Sequence, residues 1–230
     1  MKSSLLALSF ALVGFLAVSA QAQNVISVNI YKEVPMAPAD LAGVGPARVA
    51  NWNNLVVKGN EENLVNGAKN DAGNVVAGLV LSVLGGSTAG NTASFDQKKD
   101  PVHNDIALFN GGYDQDERFP MRIAASGIPF AKYDVYIYRI TQEVNSDTRA
   151  GKITLGKAVF YIRGGAGEPK EDGSGYVLAS GTSSTPIPQG NYVKFENVTG
   201  PNFTAECIAV PAGDEVQRCK IAGFQIVEHK

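Results

Sequence analysis

The sequence is poor in the residues that most often carry chemistry. It has two histidines and two cysteines in 230 residues, and neither His103 nor His229 stands at a zinc-ligand spacing from Cys207 or Cys219. That donor set argues against a zinc site. Nucleophilic catalysis needs a base beside a hydroxyl or thiol, and no Gly-x-Ser-x-Gly elbow is present, so a hydrolytic triad is disfavoured. Few acidic residues fall inside the apolar strands, where burial would raise a pKa for acid catalysis. A pair of carboxylates, all that a polysaccharide hydrolase or lyase needs, remains open in any chain. Charge is scarce as well, at 18% of residues with a net charge of -2, and the basic residues do not cluster. There is no electrostatic footprint for nucleic acid or an anionic membrane. No repeat of solenoid or propeller length is visible, and no long 3.6-residue apolar pattern follows residue 22.

The amino terminus is the exception to the scarcity of apolar runs. Met1-Lys2 gives a short positive start, residues 5–18 are almost unbroken in apolarity, and Ala20-Gln21-Ala22 is a small-x-small cleavage site. Residues 1–22 therefore read as a secretory signal peptide, which implies a periplasmic or extracellular mature protein. The next most apolar stretch, residues 75–84, stops at Gly85-Gly86. That is well short of the ~20 residues a spanning helix needs, so no membrane span is expected in the mature chain.

What is abundant after the signal is Gly, Asn, Ser and Thr between short apolar segments, the composition of many strands joined by turns. Ile26, Val28 and Ile30 alternate as a half-buried strand should. Residues 64–65, 75–84, 106–109, 119–125, 133–141, 152–155, 157–162, 192–195, 203–210 and 220–227 read as further strands, with 176–179 as an edge strand in a long loop. For residues 75–84 a short buried helix is the alternative, because both faces are apolar. The count is roughly ten short antiparallel strands in one all-β sandwich over residues 23–230. A chain of about two hundred residues buries a sizeable core without covalent staples.

Two cysteines in an exported chain suggest a disulfide. Pro211-Ala212-Gly213-Asp214 is a turn signal between the segments that carry Cys207 and Cys219. A hairpin about that turn would set the two thiols nearly opposite each other, and a Cys207–Cys219 bridge is expected to pin it.

Several segments carry a family likeness: Ile26-Ser27-Val28-Asn29, Trp52-Asn53-Asn54-Leu55, Leu108-Phe109-Asn110-Gly111-Gly112-Tyr113 and Ser126-Gly127-Ile128-Pro129-Phe130. They continue in Tyr133-Asp134-Val135-Tyr136-Ile137-Tyr138, Gly190-Asn191-Tyr192-Val193-Lys194-Phe195 and Ile221-Ala222-Gly223-Phe224-Gln225-Ile226-Val227. In this order they resemble a group of bacterial secreted galactose-binding-like domains, similar to carbohydrate-binding modules. The resemblance implies a jelly-roll β-sandwich and an extracellular location. It carries no shared catalytic motif.

Candidate sites follow from chemistry. A sugar-binding face needs an exposed aromatic platform with amides or carboxylates beside it. Trp52 with Asn53 and Asn54 has that composition, as does Tyr113 beside Asp114; core packing is the competing reading for the only tryptophan. Asp105, Asp114, Asp116 and Glu117 are oxygen-rich enough for a structural calcium ion, against the alternative of a solvated acidic turn; no cofactor is required. The function expected is a secreted, non-catalytic binding module for a polysaccharide or cell-surface glycan. The alternatives are a structural component of the cell envelope or extracellular matrix and, third, a carboxylate-dependent polysaccharide hydrolase or lyase.

Overall fold

A computed structural model describes residues 24–31, 34–58, 61–85, 103–115, 120–140, 148–213 and 217–229. The expected signal peptide, residues 1–22, lies outside the described residues. So do Asp116 and Glu117.

The described chain is an all-β sandwich. Its strands are β1 (Val25–Tyr31), β2 (Asn53–Val56), β3 (Glu62–Val65), β4 (Val80–Leu84), β5 (Tyr113–Gln115) and β6 (Met121–Ser126). They continue as β7 (Lys132–Arg139), β8 (Ala150–Leu155), β9 (Ala158–Arg163), β10 (Tyr192–Thr199), β11 (Asn202–Val210) and β12 (Cys219–Glu228). One sheet runs β10-β7-β12-β1-β2, with β5 also paired to β12, and the other runs β3-β4-β6-β11-β8-β9. From β4 onward the chain crosses between the sheets at almost every step, as jelly rolls are wound. The first and last strands are antiparallel neighbours in the middle of the first sheet, with Val25 opposite Val227.

Four expectations are corrected. Residues 104–109 form a short helix, α1 (Asn104–Phe109), rather than a strand; an apolar run this short has no period that separates the two. Only Val80–Leu84 of the run 75–84 is a strand, with Leu81 and Val83 inward and Val75 exposed. The strands are not all antiparallel, because β2 pairs parallel with β1. The largest correction concerns the carboxyl-terminal hairpin. β11 lies between β6 and β8 in one sheet, while β12 lies among β1, β5 and β7 in the other, so residues 211–218 link two sheets rather than turn within one.

The expected Cys207–Cys219 bridge is not formed: both are unbonded, buried thiols. The sulfur of Cys219 instead fills the space that a Cβ would take at Gly151 on the opposite sheet.

The two sheets differ in how many faces they bury. In β6 and β11 buried and more exposed residues alternate, whereas nine of the ten residues of β12 are buried. Inward residues of both sheets, among them Ile26, Val28, Ile123, Val135, Ala205, Phe224 and Ile226, form the sandwich core. The outer face of the first sheet supports a second cluster, in which Val25, Tyr136, Tyr138, Ala222 and Val227 meet Met36, Ala42, Ala47, Trp52 and the helix residues Ala107, Leu108 and Phe109. Residues 36–49, α1 and Tyr176 thus form a cap.

Several polar groups buried under the cap are paired. Tyr138 donates its hydroxyl hydrogen to Gln225 Oε1, and Gln225 Nε2 donates to Ser27 Oγ and Ala47 O, both at 2.8 Å. Gly43 has φ +111°, and an added Cβ would lie 2.5 Å from Ala47 O and 2.6 Å from Gln225 Oε1. Glycine is required there for both conformation and space.

Candidate binding groove

The order of the two sheets leaves edge strands β10 and β9 side by side at one flank of the sandwich. One half of this flank is covered: Tyr161 and Arg163 bridge to Gly181 and Gln189, and Tyr192 bridges to Leu178. The other half opens into a groove of about 510 Å³, bordered by Lys157, Phe160, Lys194, Glu196, Asn197 and Thr199 over a floor that includes Leu155 and Phe195.

Two local features shape the groove. Leu155 and Ala158 pair directly, so Gly156-Lys157 is a two-residue hairpin loop with the glycine at φ +60°. A glycine with positive φ in the first loop position matches the right-handed twist of the strands and projects Lys157 at the rim. On the facing strand, Phe195 pairs with Val135 and Val198 with Tyr133, leaving Glu196 and Asn197 opposite Asp134 alone. That is a β-bulge. Asn197 takes φ +60°, and its N–H donates to Asp134 Oδ1 at 2.9 Å. Bulges re-aim side chains, and they recur beside binding sites.

The bulge assembles the charges. Lys194 Nζ lies 3.0 Å from Asp134 Oδ2, 2.7 Å from Glu196 Oε1 and 5.4 Å from the Tyr136 ring centroid. His229 Nδ1 stands 3.6 Å from Asp134 Oδ1. Burial pushes the Asp134 carboxyl up, but the Asn197 N–H and the Lys194 ammonium outweigh it and hold the carboxyl below its ordinary value. Burial opposes the Lys194 charge, yet Glu196 and Asp134 drive its pKa above the usual amine range. The result is a fixed ammonium between two carboxylates at the rim of an apolar slot. Phe160 and Phe195 meet edge to face at 5.0 Å, and Phe160 keeps part of its ring exposed. A partly exposed ring beside amide, hydroxyl and charged groups suits a ligand with apolar faces and a polar perimeter.

The residues expected to bind sugar lie elsewhere. Trp52 is 5% exposed, sits 6.1 Å from the Tyr138 ring and donates its indole N–H to Val49 O; it is a core residue of the cap. Asn53 is buried, donating to Ser27 O and Lys69 O and accepting from Lys69 N–H. Asn54 is exposed, and its side chain ties Asn29 and both backbone groups of Met36. Tyr113 is fully buried in the sandwich core. Neither aromatic presents a platform.

Of the calcium candidates, Asp116 and Glu117 lie outside the described residues, and Asp105 and Asp114 fall on α1 and β5. Asp105 is buried under the cap, where Oδ2 accepts from Arg48 Nε at 2.9 Å and Oδ1 from Tyr176 OH at 2.7 Å and Gly43 N–H at 3.0 Å. Its lone pairs face an arginine. Burial raises its pKa despite these bonds, and burial also pushes up the Tyr176 hydroxyl. Asp114 is placed in β5 by its backbone. No group of three or more potential metal ligands occurs among the described residues.

The groove residues were missed, although one signal was in the sequence. Val193 and Phe195 point inward, and strict alternation would next bury Asn197; the apolar residue is Val198 instead. That slip of one position marks a bulge. Comparison of the chain with protein-family models, curated proteins and solved structures finds no match.

Proposed function

We propose that the protein is exported by its first 22 residues and acts as a non-catalytic extracellular module that binds glycans in the groove between β9 and β10. The observation that carries this reading is the concave slot itself: Phe160 is partly exposed in it beside Lys194, Glu196, Asn197 and Thr199. A pyranose ring has apolar C–H faces for Phe160 and hydroxyls for the surrounding polar groups. A non-catalytic role is favoured because Lys194 keeps its neighbour Asp134 ionised, whereas a glycosidase acid must hold its proton at working pH. The resemblance to galactose-binding-like domains points the same way.

A glycan array probed with the mature chain tests the proposal. Binding to at least one polysaccharide class is expected, with loss of roughly tenfold or more in affinity in Phe160→Ala, since base- or sugar-stacking aromatics concentrate binding energy. No binding above background to any class overturns it.

A structural role in the envelope or matrix is the second reading. It is favoured by Leu64 and Val80, 47% and 48% exposed on the outer face of the second sheet near its β3 edge. Concentration-dependent assembly on size exclusion, abolished by Leu64→Lys, would favour it over the groove.

A further inference from the structure

We infer that a second, smaller cavity, built around Arg163, is a subsite for the oxyanion of an acidic saccharide, either a uronate carboxylate or a sulfate ester. The choice of a saccharide as carrier rests on the glycan reading above; the oxyanion chemistry rests on the cavity alone.

The cavity holds about 210 Å³ and is lined by Arg163, Ser184, Thr185, Pro186, Ile187 and Pro211, among others. It lies at the covered end of β9, away from the Phe160 groove. Whole-ligand sites usually exceed ~300 Å³, so this one suits a single charged group projecting from a larger molecule.

Arg163 is held by its backbone on both sides. Its N–H donates to Pro188 O and its carbonyl accepts from Gly190 N–H, both at 2.9 Å, while it pairs with Ala150 across the sheet. Among the described residues no carboxylate pairs with its side chain, and its enclosed Nε–H has no acceptor. A buried donor left unmatched is costly, and a charged one more so. The fork of a guanidinium matches two oxygens of a carboxylate or sulfate.

The rim is ordered for the same task. Ser183 Oγ accepts from Thr185 N–H at 3.1 Å and donates to Thr185 O at 3.0 Å, which fixes the turn carrying the exposed Ser184 and Thr185. Their hydroxyls are further donors beside the guanidinium. Pro186, Ile187 and Pro211 supply apolar walls.

Isothermal titration of the mature chain with sodium sulfate, a galacturonate trisaccharide, its methyl ester, a sulfated disaccharide and a neutral trisaccharide tests the inference. At least one acidic saccharide is expected to bind, with affinity falling roughly tenfold or more in Arg163→Gln, falling with salt, and partly restored in Arg163→Lys, which keeps charge without the fork. Preference for the uronate over its ester names the carboxylate; preference for the sulfated disaccharide names the sulfate ester. Thermal melts of Arg163→Gln and Arg163→Lys establish that both are folded. The inference is overturned if no acidic saccharide binds, if sulfate alone binds, or if affinity is the same in Arg163→Gln. Failure of the groove reading shows separately, as absent neutral-glycan binding.

Discussion

The inner and outer faces of the first sheet are buried to similar extents by opposite means. Toward the second sheet, Ile26, Val28, Val135, Ile137 and Ile226 pack in one apolar cluster with aliphatic side chains and with rings such as Phe203 and Phe224. Toward the cap, Tyr138, Gln225, Ser27 and Asn29 are buried with Trp52, Phe109 and Tyr176, and hydrogen bonds tie the aromatic and polar side chains. An apolar interior tolerates exchange at constant volume; a polar one demands each partner in place. The sandwich core is therefore expected to set global stability, and the cap to open as a separate, weaker unit.

The largest effect should come from Phe224→Ala in the sandwich core, a loss of about 3–5 kcal/mol in urea unfolding. Next, Tyr176→Phe removes a donor to Asp105 and an acceptor for Gly43 N–H, which should cost about 1–3 kcal/mol. Hydrogen exchange should then speed up at residues 36–49 while β7 and β12 keep their protection. Uniform acceleration across both would show that the cap and the sandwich unfold as one.

Acid titration sharpens the contrast, because the two regions hold carboxyls shifted in opposite directions. Asp134, lowered by Asn197 and Lys194 against the pull of burial, contributes stability that is present above the ordinary value of 3.8 and is lost as pH falls through its depressed folded value. Asp105, raised by burial, contributes stability that is full below 3.8 and is lost as pH rises through its elevated folded value. Urea midpoints between pH 3 and 7 should rise less steeply with pH in Asp134→Asn than in the parent, and more steeply in Asp105→Asn. Asp134→Asn should lower stability at pH 7 by about 1 kcal/mol. The smallest expected effect is that of reductant, which should leave the melting curve unchanged. Burial pushes the Cys207 thiol well above its ordinary value; alkylation should label neither cysteine in the folded chain and both after denaturation.

Strand-by-strand alternation made the sandwich readable. Ile26-Val28-Ile30 and the alternation through Met121, Ile123 and Ala125 identify faces before any coordinates are known, because a pleat has a fixed period of two. Partnership was harder to read. Pro211 to Asp214 has the composition of a hairpin turn, yet a turn signal says only that the chain bends, and the strands on either side joined different sheets. The candidate site was largely illegible for a related reason. Trp52 and Tyr113 were chosen by composition, and composition does not record which face of a strand another layer covers. Phe160 and Arg163 lie on an unremarkable strand, and only the pairing of β9 with its neighbours shows that one end is open and the other closed.

The central pairing of β1 with β12 also fixes how the molecule bears load. Val25 stands opposite Val227, Glu228 N–H donates to Asn24 O at 2.9 Å, and Asn24 Nδ2 donates to Glu228 Oε2 at 2.7 Å. Residues 24 and 228 thus leave the sheet together, and tension applied across them would peel the two strands apart one rung at a time rather than shear all rungs together. Held by both ends, the domain should give way at low force and first along its middle. Held by one end, it hangs from a single corner, with neither of the two strands loaded against the other.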